Sequence, residues 1–462
     1  MPSAPATPVA IRSPWSKEIV GHATLVSRSQ VVFAIDRAAQ AARAARTMPS
    51  HQRAQVLLRI ADGLGEAREE LARLLAAEAG KPVALARSEI DRSIFVFRQG
   101  AEEATRIGGE VIPMDLAPQG EGRWAVTRRF PLAPIAGIIP FNFPVLLTAH
   151  KLAPAIACGA TIIIKTPPQD PLATLRVGEI VARSGYPEGA VSFLYCSNED
   201  AAPLLDDPRV RMVTFTGSGK AGWAIKQRAN TKKVTLELGG NAAAIIEPDA
   251  DLDHAVRRCV AGGYTYAGQS CISTQRILVH QSRYDAFVER FLPAVAALRS
   301  GDPLAEGTDV GPMIDEGSAQ RAEAWLAEAV AAGATVPVGG KRTGALLTPA
   351  VVLNSSGQMR VNCEEVFAPV TTVRPYGTFD EAVAAVNDSP YGLQAGLFTH
   401  DLRTILRAFD ELEVGGVVIN EVPGFRVDHL PYGGVKLSGQ GREGVRYAIE
   451  EMTELKVMML GG

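Results

Sequence analysis

Val210-Arg211-Met212-Val213-Thr214-Phe215-Thr216-Gly217-Ser218-Gly219-Lys220-Ala221-Gly222 reads as a strand, a glycine turn and the first turn of a helix. β-Branched and aromatic residues at 211–215 favour the pleated state. Glycines between a strand and a helix N-terminus let backbone N–H groups face a phosphate, aided by the helix dipole. The spacing is not a clean G-x-G-x-x-G, so on these residues alone a plain tight turn is the better reading. Upstream, strand patterns at 134–139, 160–164 and 191–195 alternate with helical patterns at 145–157, 171–184 and 199–205, and a helix at 219–229 follows the turn. Such alternation predicts an α/β fold with a largely parallel sheet. A second alternating block runs from near Val234 to about 445, with helices at 251–267, 281–298, 316–332, 378–387 and 401–411.

Before the first block, helices are expected near 29–46, 50–62 and 83–106. Leu64, Ala67, Leu71, Leu74 and Leu75 recur at helical spacing until Gly80 and Pro82 give a stop signal. The Ala/Arg runs read as solvated helix faces. Residues 1–10, rich in Pro and Ala, are expected to be poorly ordered. Segment 110–130 leaves the main core and includes a strand at Trp124–Arg129. The tail, 447–460, returns to an extended pattern suited to pair with it.

At 462 residues the chain has room for two to four domains and a large core. A formal charge of −3 gives no electrostatic reason to expect nucleic acid or an anionic membrane. The five cysteines, 158, 196, 259, 271 and 363, are odd in number and lack metal-ligand spacing, which fits a reducing compartment without a disulfide framework or a metal. The N-terminus lacks a basic stretch followed by an apolar core, so no signal peptide is expected. The most apolar window, roughly 132–164, carries His150 and Lys151 and several prolines, too interrupted to span a bilayer. A cytoplasmic protein without a membrane partner is expected.

The chemistry concentrates in Gly263-Tyr264-Thr265-Tyr266-Ala267-Gly268-Gln269-Ser270-Cys271-Ile272-Ser273-Thr274 and in Glu237-Leu238-Gly239-Gly240. Cys271 lies in a small-residue loop that lets a backbone approach a substrate, and Glu237 offers a carboxylate able to move protons for a thiol. An arbitrary cysteine would more often be a buried, inert hydrophobe. These segments resemble the aldehyde dehydrogenase superfamily, whose nucleophile lies in a Gly-Gln-x-Cys loop and whose general base opens a Glu-Leu-Gly-Gly segment. The resemblance runs from about residue 30 to 456, through several motifs in the right order.

The resemblance implies an aldehyde dehydrogenase-like α/β fold. A variant Rossmann NAD(P)-binding domain would comprise 10–109 and 131–236, and an α/β catalytic domain 237–446. A β arm for oligomerisation would comprise 110–130 and 447–462, giving a homodimer or homotetramer. In Ile139-Pro140-Phe141-Asn142-Phe143-Pro144, Asn142 would hold an oxyanion together with the Cys271 N–H, beside the cofactor contacts Ile139, Pro140 and Phe141. Gly217, Ser218 and Gly222 would form the pyrophosphate turn, and Lys165 would bind the adenine ribose. Leu238, Glu365 and Phe367 would line the nicotinamide end. Ala368 departs from the usual Gly of the Glu-Glu-x-Phe-Gly-Pro segment. Pro168 stands where NAD-preferring members carry a glutamate, which leaves NAD or NADP open.

The implied reaction has four steps: Cys271 attacks an aldehyde, Asn142 holds the resulting anion, hydride passes to the nicotinamide, and Glu237 activates water against the thioester. A coenzyme A-acylating relative would not need Glu237. A non-catalytic protein on the same fold is the other alternative. Phe425-Arg426-Val427-Asp428-His429 resembles branches acting on small polar or anionic aldehydes such as lactaldehyde or phosphonoacetaldehyde. His150, Arg276, Arg426 and His429 are the cations that could define the substrate end, with Arg426 or His429 favoured. An internal pairing of Arg426 with Asp428 or Glu421 is the alternative reading.

Overall fold

The computed structural model describes residues 8–461. The quoted strand, Met212–Thr216, lies inside a six-stranded sheet ordered Gly439–Gln440, Lys233–Glu237, Met212–Thr216, Ile135–Ile138, Ile162–Lys165, Val191–Leu194. All neighbours are parallel except the two-residue Gly439–Gln440. Parallel strands are covered on both faces by their crossover helices, so they are rich in apolar residues, and Ile162–Lys165 is wholly buried. Pro144–Cys158 is buried along its whole length, mostly apolar but for Thr148, His150 and Lys151, and ends at Gly159 in the left-handed conformation. Strand order reverses between Ile135–Ile138 and Met212–Thr216, where open α/β sheets place ligands beyond the carboxyl ends of the strands.

A seven-stranded sheet follows, ordered Thr335–Val338, Ala350–Leu353, Val370–Tyr376, Arg276–His280, Ala243–Ile246, Gln394–Phe398, Gly416–Ile419, antiparallel only at its first pair. The two sheets meet over one cleft. Ile138, Lys165, Thr216 and Glu237, the last residues of four strands in the first sheet, line it. Cys271, Glu365 and Phe367, from loops entering strands of the second sheet, line it from the other side.

Four expectations need correction. The helix expected over 251–267 stops at Tyr264, and a tight 3₁₀ turn, Thr265–Gly268, follows with Tyr266 and Ala267 at φ 50 and 52. A left-handed pair cannot continue a right-handed helix. The periodic run through Leu64 and Leu75 is two helices, Ser50–Glu66 and Arg68–Ala79, broken at Ala67. The expected helix at 199–205 is reduced to Pro203–Asp206, because Pro203 is suited to a first turn. The tail forms the helix Val445–Glu451 before its strand, Thr453–Leu460.

Residues 1–7 of the expected poorly ordered N-terminus lie outside the described residues, but Pro8–Arg12 pairs antiparallel with Ile19–Thr24. Val111–Pro113, Trp124–Pro131 and Thr453–Leu460 form a separate three-stranded antiparallel sheet. Among the described residues, no helix is long and apolar enough to cross a membrane.

Candidate active site

The cleft has a volume of about 910 Å³ and is lined mainly by apolar surface. Glu237 and Cys271 reach it because the chain passes directly from one sheet to the other through Gly239 and Gly240. A Cβ on Gly239 would lie 2.2 Å from the Glu365 carboxylate, and one on Gly240 would lie 2.8 Å from the Cys271 carbonyl. Only glycines allow that approach. The Cys271 loop is fixed from below, where the buried Tyr266 hydroxyl donates to the Ala79 carbonyl and the Gln269 side-chain oxygen accepts from the Ile314 N–H.

The Cys271 thiol is half-buried and stands 3.0 Å from the Tyr432 hydroxyl, whose ring carries the Arg426 guanidinium at 3.8 Å. Burial pushes the thiol up to about 12, against the pull of Tyr432 and Arg426. Asn142 donates from its amide to the Gln269 carbonyl at 3.0 Å, leaving a second amide hydrogen and a buried, unpartnered Oδ1 at the cleft.

Behind Asn142 lies a fully buried ion pair that sequence reading missed. Lys81 is paired with Glu89 and donates to the Asn142 carbonyl at 2.7 Å, and its ammonium sits over the rings of Phe143 and Tyr266. Glu89 also accepts from the Val145 and Leu146 N–H groups, capping the helix Pro144–Cys158.

Glu237 is buried, and its Oε2 has no partner among the described residues. Burial and the nearby Glu443 push its carboxyl well above the ordinary range, opposed by Arg426 and Lys151. Glu443 is itself held down to about 2, because Lys151 and Arg426 outweigh its burial. Arg426 donates to Glu443 at 3.0 Å, and the Lys151 ammonium stands 3.5 Å from it while donating to Thr216.

The cofactor candidates divide. Ile139, Pro140, Phe141, Lys165, Gly217, Ser218, Leu238, Glu365 and Phe367 all border the cleft. Gly222 does not; it packs on Leu238, where a Cβ would meet a methyl carbon at 2.3 Å. Ser218 caps the helix Gly219–Arg228 by accepting from Ala221. Lys165, buried at a strand end, finds no hydrogen-bond partner among the described residues, and burial lowers its pKa. Glu365 accepts from the Gly240 N–H at 3.0 Å, and burial raises it to about 7. Ala368 itself is not left-handed, but Phe367, one residue earlier, is, with φ 50, and its ring meets Phe141 edge-on.

Arg92, Arg258 and Arg426 also line the cleft. Arg92 holds Asp428 through two hydrogen bonds of 2.9 and 2.7 Å, and Arg258 pairs with Glu421. Arg426 therefore takes Glu443 and Asp428, not Glu421, as its acidic partners. His150 lies buried behind it. Arg276 is committed to backbone carbonyls of Asn241, Ala385 and Val386, and His429 is exposed against Phe95, outside the cleft lining. Arg92 was legible in principle, because Leu85, Ser88, Glu89 and Arg92 fall on one helical face.

A thiol, a carboxylate without a hydrogen-bond partner among the described residues and an amide border one cleft at a strand-order reversal, a place where open α/β sheets bind ligands and an arrangement suited to covalent catalysis. Residues 1–458 match the aldehyde dehydrogenase family, and the chain belongs to that family. It is similar to 3-sulfolactaldehyde dehydrogenase of Priestia aryabhattai, 43% identical over 415 residues, covering 90% of this chain and 87% of the relative. Among solved structures, aldehyde dehydrogenase 21 from Physcomitrella patens, in complex with its reaction product succinate, superposes with a TM-score of 0.97 at 41% identity, covering 99% of this chain and 96% of that one. The glyceraldehyde-3-phosphate dehydrogenase of Methanocaldococcus jannaschii complexed with NADP gives 0.95 at 37%, covering 98% and 99%. The protein is an NAD(P)-dependent aldehyde dehydrogenase.

Proposed function

We propose that the chain oxidises small anionic aldehydes to carboxylic acids, with Cys271 as nucleophile, Glu237 as base and Asn142 as oxyanion donor. One observation carries this reading: the thiol, the unpartnered carboxylate and the amide border one cleft that Arg92, Arg258 and Arg426 also line. The named 3-sulfolactaldehyde substrate of the Priestia relative and the succinate bound to the moss enzyme are both consistent with a distal anion beside those arginines.

The residues present fit a dinucleotide. Lys165 is a buried cation in need of a polar partner, Gly217 and Ser218 open a helix N-terminus, and Glu365 and Phe367 stand near Cys271. Bound there, the nicotinamide supplies the hydride acceptor. Once the Cys271 thiol has passed its proton to water in the cleft, the sulphur adds to the carbonyl carbon, and the Asn142 amide donates to the oxygen as the C=O π electrons move onto it. After oxidation a thioester remains on Cys271. Glu237 takes a proton from water as the water oxygen adds to the thioester carbon, and the sulphur departs as thiolate. A carboxylate in that position favours water over coenzyme A as acceptor.

The two sheets are assigned to a cofactor half and a catalytic half, and the three-stranded sheet to assembly. Leu455, Val457, Met458 and Met459 are exposed on Thr453–Leu460, whose outer edge has no neighbouring strand among the described residues. A second copy of the chain would cover them, giving a dimer or a dimer of dimers. The five free cysteines fit a cytoplasmic location.

The test is reduced-nicotinamide formation with lactaldehyde, sulfoacetaldehyde, succinic semialdehyde and propanal, each with NAD and NADP, beside Cys271→Ala. Turnover fastest with the anionic aldehydes and absent in the variant is expected. Equal turnover of propanal would remove the anionic preference, and turnover surviving in the variant would remove Cys271 as nucleophile.

A further inference from the structure

One side chain touches the nucleophile. The Tyr432 hydroxyl stands 3.0 Å from the Cys271 sulphur, the one hydrogen bond the sulphur has among the described residues. Tyr432 is itself buried and fixed. Its backbone N–H donates to the Glu443 carbonyl at 3.1 Å, and its carbonyl accepts from the Glu443 N–H at 2.6 Å, an isolated antiparallel bridge. Its ring carries the Arg426 guanidinium at 3.8 Å and packs with Ile272 and Leu393 in a small apolar cluster. Arg426 is anchored in turn by Glu443 at 3.0 Å. A phenol held in this way has the sulphur as its hydrogen-bond partner and cannot swing to water without breaking that packing.

With the thiol protonated, either atom can donate across the contact. A thiolate has no proton to give, so beside it the hydroxyl is the donor. The site has reason to need one. Burial disfavours a thiolate there, and the Glu365 and Glu237 carboxylates, once ionised, oppose it as well, while Tyr432 and Arg426 favour it. The phenol keeps its own proton, because burial and the neighbouring sulphur push it well above its ordinary value, against Arg426. A guanidinium over the ring face also polarises the phenol and strengthens it as a donor.

We propose that the Tyr432 hydroxyl is a catalytic hydrogen-bond donor that holds the Cys271 sulphur as the attacking thiolate. The inference rests on the reading of Cys271 as nucleophile given above. In attack, a sulphur electron pair forms the C–S bond and the C=O π pair moves to oxygen, so charge leaves the sulphur and the Tyr432 contact weakens. When water later displaces the sulphur, the C–S pair returns to it and the same hydroxyl receives the thiolate. No proton passes between tyrosine and sulphur in either step. The travelling charge thus meets a donor at both ends, the Asn142 amide at oxygen and Tyr432 at sulphur.

The test is the rate of Cys271 alkylation by iodoacetamide between pH 7 and 10, in enzyme free of aldehyde and cofactor. It is read by intact mass, with Cys271→Ala as the blank. Tyr432→Phe keeps the ring under Arg426 and removes only the hydroxyl. It should react about three- to tenfold more slowly at each pH, because losing a hydrogen bond to a charged group thins the thiolate more than it sharpens its nucleophilicity. Replacing Tyr432 with 3-fluorotyrosine, a more acidic donor of nearly the same shape, should make alkylation faster than in wild type, which a merely structural role would not do. The kcat/KM for the fastest aldehyde of the panel above should follow the same order. Equal alkylation in Tyr432→Phe and wild type, or a fluorinated enzyme slower than wild type, would overturn the donor role. An order that holds for iodoacetamide and fails for the aldehyde would overturn its part in catalysis. Alkylation needs no turnover, so dehydrogenase activity surviving in Cys271→Ala would overturn the nucleophile reading separately.

Discussion

Two walls of the cleft carry buried charge, and they are built to opposite rules. Under the helix Pro144–Cys158, Lys81 and Glu89 saturate one another and their surroundings: the ammonium has Glu89, the Asn142 carbonyl and two aromatic rings, and the carboxylate has Lys81 and two backbone N–H groups. On the Glu237 side, Glu237 Oε2, His150 Nδ1 and Asn142 Oδ1 are buried without a hydrogen-bond partner among the described residues. A filled network specifies a shape, while an unfilled one waits for reactants or water. The first wall sets where Asn142 stands, and the second holds the groups proposed to react.

The sharpest way to break that division is to remove reacting groups and see stability survive. Cys271→Ala should abolish dehydrogenase turnover while leaving the urea midpoint within the scatter of surface substitutions, as the thiol is half-buried and bonded only to Tyr432. Glu237→Gln should lower steady-state turnover about 10²–10⁴-fold yet keep a first burst of reduced cofactor. Its pH profile follows from the raised carboxyl. The base works only when ionised, so wild-type deacylation should climb as pH rises through a range above that of ordinary carboxylates. The Gln variant should be flat over the same range.

On the filled wall the order of effects reverses. Lys81→Met leaves Glu89 buried without its cation and should cost about 3–5 kcal/mol in urea unfolding. Any activity lost should return only when Asn142 is held by another route. A small stability change there would mean that the two walls are not different in kind.

At the rim, Arg92→Ala should weaken binding of anionic aldehydes about tenfold, on the scale of one charge-assisted hydrogen bond, and leave propanal unaffected. Arg92 is also Asp428's bidentate partner, so Arg92→Lys serves as a second arm. It retains the charge while losing the fork, and partial recovery is expected.

How much of this was legible depended on whether a residue acts through its neighbours in sequence or in space. The strand–turn–helix at 210–222 and the Gly239-Gly240 pair are local signals, because a close backbone approach demands glycine whatever lies opposite, whereas Cys271 alone reads as an inert thiol and stands out only through the motifs around it. Lys81 and Glu89 are not. They read as charges on a helix face, and only the packing of Pro144–Cys158 over them makes both buried. Arg276 erred the other way. Its charge suggested substrate, but at the start of a central strand it is used up on three backbone carbonyls. The Tyr266–Ala267 turn was lost because helical composition continues past the point where the fold requires left-handed backbone.

The smallest effect tests the far end of the cofactor half. Pro168 borders the cleft and is exposed, three residues beyond the unpartnered Lys165. The other cation lining that end, Arg228, is already committed to Asp206 through two bonds of 2.7 and 2.6 Å. Among the described residues, that end of the cleft thus has Lys165 without a hydrogen-bond partner and no carboxylate at 168, an arrangement tolerant of a phosphate on the adenine ribose. Pro168→Glu adds a negative charge that repels such a phosphate and draws Lys165 toward itself. NADP affinity, read by quenching of protein fluorescence, should fall about tenfold while NAD affinity stays level or improves. Pro168→Gln, which relaxes the same loop without charge, should leave the ratio of the two cofactors unchanged. If Gln and Glu shift that ratio alike, the proline's rigidity sets the preference and electrostatics at this end does not.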